Sequence, residues 1–95
     1  MMVFVEHFLS PGKMAEFDKV FATHLKQVSR APGFVSLRKL VEPSDTEAKP
    51  CVLLEFVGED LLQAWRESSE HQNIANAYAS CWVKPAQVRI FKIEN

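Results

Sequence analysis

Apolar residues along the chain recur with two different periods, and the changes of period divide it into seven elements. Met2 to Leu9 is a run of Val, Phe and Leu closed by Ser-Pro-Gly, which predicts a strand. Val3, Val5, His7 and Leu9 form one face of it and Phe4, Glu6 and Phe8 the other. Both faces are largely apolar. Ser10 can accept hydrogen bonds from the free amides that follow it and Pro11 suits a first helical position, so a helix is expected to begin there. Met14, Phe17, Phe21, His24, Leu25 and Val28 recur on its inner stripe, and Lys13, Glu16, Lys19 and Lys26 take the remaining surface. Ala31-Pro32-Gly33 ends it.

Phe34 to Val41 reads as a second strand, Glu42 to Pro50 as a solvated hairpin loop and Cys51 to Val57 as a third, buried strand. The absence of a helix between strands two and three favours antiparallel pairing, because a parallel crossover needs about a dozen residues or more. Gly58-Glu59-Asp60 opens a short helix whose inner face is Leu61, Leu62 and Trp65, with acidic groups where the backbone dipole favours them. Ser69, with Gln72 three residues on, predicts a capping box and a bend near Ser68 and Ser69. In the helix beyond, His71, Ile74, Ala75, Tyr78 and Cys81 share one stripe, and Pro85 marks the passage to a last strand, Gln87 to Ile93.

This order is the split βαβ arrangement of an α+β, ferredoxin-like sandwich with a four-stranded antiparallel sheet, a single domain over residues 1–95. Helices can cover one face of such a sheet, yet the first, third and last strands are apolar on both. At ~25 cal/mol per Å2, a ~600 Å2 apolar patch is worth ~15 kcal/mol before association costs, so the expected cover is a second copy of the chain. Glu6, Arg38, Glu55 and Arg89 lie within strands, where ionic contacts between facing sheets would set the register of such a homodimer.

Composition narrows the function classes. Eleven basic and twelve acidic residues, interspersed to a net charge of −1, make no field for nucleic acid or an anionic membrane. Glu6 and His7 interrupt the first apolar run, so neither a leader nor a membrane span is expected. Cys51 and Cys81 lack metal or disulfide spacing; reduced thiols in a cytoplasmic protein are expected, with no metal.

The segments SPGKMAEF after strand one, APGFVSLRKL entering strand two and VLLEFVGEDLLQAWRESSEH across strand three and the next helix resemble the antibiotic biosynthesis monooxygenase-like domains. The resemblance spans nearly the whole chain and implies a dimeric α/β barrel. It specifies the fold better than the reaction, since similar domains include quinol oxygenases, polyketide oxygenases, haem-degrading enzymes and members without known activity. In the oxygenases that use no cofactor, the resemblance implies, a phenol or quinol is deprotonated and its anion reduces dioxygen. The protein then supplies a base, a dry aromatic-lined pocket and donors for the developing oxyanion. In the haem-degrading branch an Asn, Trp and His triad is required. Trp65 matches its Trp, but His7 stands in the place of the Asn and Ala75 in that of the iron-ligating His, which argues against haem.

The candidate base is His71, at the start of a helix where the dipole disfavours its charged form, or else His7 on strand one. Trp65, Tyr78, Phe21 and Phe56 are the candidate wall for a small aromatic molecule, with the Tyr78 hydroxyl as a donor, and His24 can line the same cavity. Each also has a packing role. A non-catalytic dimeric barrel that binds a metabolite therefore stands beside the monooxygenase reading, and a cavity reaching these residues separates the two.

Overall fold

A computed structural model describes residues 1–43 and 49–94 of the chain. The elements are β1 (Met2–Leu9), α1 (Met14–Val28), β2 (Phe34–Leu40), β3 (Cys51–Phe56), α2 (Glu59–Arg66), α3 (Ser69–Ala79) and β4 (Trp82–Phe91). The four strands form one antiparallel sheet in the order β2-β3-β1-β4, with the helices on one side. This is the ferredoxin-like α+β sandwich that the order of elements predicts. The middle of the expected hairpin loop, residues 44–48, lies outside the described residues.

The core is the seam between sheet and helices. Val3, Leu9, Val52, Leu54, Phe56 and Leu37 rise from the sheet, and Phe17, Val28, Leu62, Trp65, Ile74 and Tyr78 descend from the helices, all buried. Leu25, expected on the inner stripe of α1, is 41% exposed. Cross-strand pairs such as Val3 with Leu54 and Val5 with Val52 keep one face of each strand on this seam. The alternate residues, among them Phe4, Phe8, Leu53, Leu40 and Phe91, stand on the opposite face, which no helix among the described residues covers. Glu6, Arg38, Glu55 and Arg89 share that open face.

Several boundaries differ from expectation, three of them for an identifiable local reason. The first helix begins at Met14, not Pro11, because Ser10-Pro11-Gly12-Lys13 closes a turn in which the Lys13 N–H donates to the Ser10 carbonyl at 3.2 Å. Gly12 sits there at φ +79°, the left-handed conformation that the third position of a Pro-Gly turn requires. The cap of α3 is Ser68 rather than Ser69: its Oγ accepts from the His71 N–H at 3.1 Å and donates to the Trp65 carbonyl at 2.6 Å, tying the end of α2 to the start of α3.

The last strand starts at Trp82, five residues before Gln87, and runs through Pro85 to Phe91. Pro85 is tolerated because β4 is an edge strand with a bulge at that point. Glu6 pairs with Gln87 and Phe8 with Lys84, so Pro85 and Ala86 together oppose His7. Among the described residues no helix is long and apolar enough to cross a membrane.

Candidate active site

His7 is carried by β1 on the face turned to the helices and is 2% exposed. The bulge in β4 brings Trp82 against it, and the indole N–H donates to His7 Nδ1 at 3.0 Å. An indole nitrogen can only donate, so Nδ1 is bare and the proton of the neutral ring resides on Nε2. Burial lowers the pKa of His7 from 6.5 to about 4, which keeps the ring neutral at physiological pH. His7 is thereby configured as a hydrogen-bond donor. Phe17 meets it edge-on at 5.0 Å between ring centres, and Tyr78 lies tilted against it at 4.7 Å.

Tyr78 projects from α3 and shares a hydrogen bond of 2.8 Å with His24 Nδ1 on α1. The hydroxyl has no other partner among the described residues, so the arrangement that strands fewest groups has Tyr78 donating and His24 protonated at Nε2. Burial, reinforced by the neighbouring His71 and His7, lowers the His24 pKa to about 4, and burial raises that of the Tyr78 phenol. Both remain uncharged. His24 in turn stacks parallel to Trp65 at 6.2 Å, and Trp65 meets His71 edge-on at 6.0 Å. The His71 pKa is lowered, first by burial and then by the Arg66 guanidinium, while the nearby Arg66 carbonyl partly offsets both.

An apolar cavity of about 180 Å3 lies between the sheet and α3. Its floor is Val3, Val5, His7, Val52, Leu54 and Val88, and its roof is His24, Arg66, His71, Ile74, Ala75 and Tyr78, with Trp82 at one side. The helix layer stops short of β4, leaving Val88 51% and Ile90 44% exposed, so the cavity opens along that flank.

Of the residues singled out in the sequence, His7, His24, His71 and Tyr78 line this space. Three do not. Phe56 is 1% exposed, in the core against Phe34; Phe21 packs partly buried on the core; Trp65 backs the histidines from behind and lines a different cleft. Trp82, which sequence reasoning missed, is the residue that fixes the state of His7. Its signal was the apolar pair Trp82-Val83 ahead of Pro85, hidden by reading that proline as a boundary. Although three histidines border one cavity, no group of three His, Cys, Asp or Glu side chains is close enough to hold a metal ion among the described residues.

A four-stranded ferredoxin-like sandwich with a cavity under its helices is the architecture of small single-domain oxygenases and of binding proteins alike. Within that class, the family described as antibiotic biosynthesis monooxygenase matches residues 1–77, and the chain belongs to that family. Curated proteins give no match. Among solved structures, a conserved protein from Methanosarcina mazei Go1 is similar with a TM-score of 0.89 at 18% identity, covering 98% of this chain and 91% of that one. Rv0793 from Mycobacterium tuberculosis is similar with a TM-score of 0.84 at 10% identity over 99% and 95% of the two chains. SnoaB, a cofactor-independent oxygenase from Streptomyces nogalater, gives 0.76 at 22% identity over 98% and 94%. At these identities the likeness is one of fold.

Proposed function

We propose that the protein is a monooxygenase that needs no cofactor and oxidises a phenol or quinol of one ring with dioxygen. The observation that carries this reading is the pair of histidines on opposite walls of the apolar cavity, His7 on the floor and His71 on the roof, both held neutral by burial. They differ in what they offer. His7 presents Nε2–H, because Trp82 occupies its other nitrogen, whereas no side chain among the described residues donates to the ring of His71, which can therefore take a proton.

In this reading His71 removes the phenolic proton and the His7 N–H stabilises the charge that develops on oxygen. The anion passes electrons to dioxygen, a carbon–oxygen bond forms on the ring, and loss of water returns the proton and leaves the quinone. One oxygen atom enters the product and the other departs as water. An apolar cavity of about 150 Å3 holds benzene. The 180 Å3 here therefore suits one ring with small substituents rather than a fused polyketide. Family membership and the cofactor-independent oxygenase among the structural neighbours support the same chemistry. Two copies facing each other through their open sheet faces, in the cytoplasm where Cys51 and Cys81 remain thiols, complete the proposal.

The test is oxygen uptake with substituted hydroquinones and with anthrones. Uptake with the single-ring compounds, reduced at least ~100-fold in His71→Ala, is the expected result. Equal rates in the two proteins sink the catalytic reading, and saturable binding without uptake leaves a metabolite-binding barrel.

A further inference from the structure

Four buried side-chain nitrogen or oxygen atoms lack a hydrogen-bond partner among the described residues: His24 Nε2, Gln27 Oε1, Trp65 Nε1 and His71 Nδ1. Buried polar atoms without partners are rare in folded proteins, and each calls for an occupant or a water. These four are not scattered. His24 and His71 pack directly on the Trp65 ring, and Gln27 lies three residues from His24 on α1. Two of them, His24 and His71, border the cavity already described. The other two belong to residues that line a separate cleft of about 420 Å3, between the C-terminal end of α1 and α2.

That cleft is walled by Ala31, Pro32, Leu61 and Ala64, with Arg30 and Glu70 among its charged residues and Ser68 at its foot. Its size falls in the range of small-molecule sites, which are apolar with a few placed polar groups. Trp65 is 5% exposed, so its unpaired indole N–H is a buried donor, and Gln27 Oε1 is a buried acceptor. Ser68 does not relieve either, because its Oγ already serves the Trp65 carbonyl and the His71 N–H. Arg30 and Glu70 make no ion pair with each other.

We propose that this cleft is a second small-molecule site, on the reverse side of Trp65 from the histidine cavity. It takes an uncharged molecule that carries an acceptor and a donor side by side, as a carboxamide does. The carbonyl accepts from the Trp65 indole, the N–H donates to Gln27, and an apolar ring lies on Pro32, Leu61 and Ala64. Because the Trp65 ring contacts His24 and His71, an occupant here reaches the walls of the other cavity without entering it.

The two tryptophans provide the experiment, since Trp65 reports on the cleft and Trp82 on the histidine cavity. Benzamide is titrated into 15N-labelled protein and both indole N–H signals are followed. The Trp65 signal is expected to shift downfield and saturate while that of Trp82 stays fixed. Ala64→Phe, at an exposed helical position, fills the cleft and is expected to abolish the shift with the rest of the spectrum retained. Gln27→Leu removes the acceptor and should weaken benzamide about tenfold, the loss of one hydrogen bond. A Trp65 signal that does not move, that moves in step with Trp82, or that shifts undiminished in Ala64→Phe overturns the proposal. So does a water held at the indole that benzamide fails to displace.

Discussion

Trp82 and His7 are 75 positions apart, and the 3.0 Å hydrogen bond between them determines which nitrogen of the histidine carries its proton. The contact exists because β4 bulges opposite His7 and sets the indole beside the imidazole. Trp82→Phe keeps the ring but strips the donor, leaving a buried Nδ1 unpaired. A loss of about 1–2 kcal/mol in urea unfolding is expected. The 15N spectrum of His7 should change from one tautomer to a mixture, and a variant that keeps the pure Nε2–H form would show that Trp82 does not set it.

Acid should unfold the protein through its histidines. His7 and His24 have folded pKa values of about 4 against 6.5 for a free ring, so the unfolded chain binds protons between these limits that the folded chain does not. Stability is accordingly complete above pH 6.5 and falls as the pH drops toward 4. The loss is of order 2–3 kcal/mol per ring, less than additive because His24 senses the charge on His7. Urea midpoints measured from pH 7.5 down to 4 check this, and His24→Phe should flatten the slope.

Gly33 and Gly12 make a matched pair. Both have positive φ, +86° and +79°, but a Cβ at Gly33 would meet Leu61 at 2.6 and 2.8 Å, whereas one at Gly12 meets open space. Gly12→Ala should therefore cost about 1–2 kcal/mol for the backbone alone. Gly33→Ala adds the clash and should cost about 2–4 kcal/mol. Comparable thermal unfolding of the two variants would contradict the packing described for α2.

Ser68 holds Trp65 and His71 in one frame through its two hydrogen bonds. Ser68→Ala removes a helix cap, at about 1 kcal/mol. It also releases the start of α3, so oxygen uptake should fall by more than the small stability loss explains. Unchanged uptake in a folded Ser68→Ala protein would separate the cap from the site.

The open sheet face supplies a prediction about assembly. Phe4 pairs with Leu53 on one side and Arg89 on the other, near the middle of the uncovered surface. Phe4→Glu places a carboxylate there and should turn the proposed dimer into a monomer by light scattering, with the circular dichroism of the fold retained. A wild-type protein already monomeric at micromolar concentration would remove the dimer from the account.

Much of this was written in local pattern. The alternation of Met2 to Leu9 and Cys51 to Val57 and the helical stripe from His71 to Cys81 specify strands, helices and their inner faces, because periodicity is a property of neighbouring residues. The same stripes put His7, His24, His71 and Tyr78 on inward faces, where the structure has them around one cavity. What the pattern does not contain is distance across the fold. Phe56 and Phe21 have the composition of a pocket wall, but whether an aromatic faces a void or a neighbour depends on how far two layers stand apart. Trp82 lay beyond reach for a related reason, since its role follows from a bulge that exists only where β4 meets β1. Sequence thus determined which face of each strand and helix turns inward, though not how deeply each residue is buried, as Leu25 and Leu61 remain exposed on stripes read as inner. Tertiary structure alone decided which hydrogen-bond partner each buried imidazole finds, and with it which can donate a proton and which can accept one.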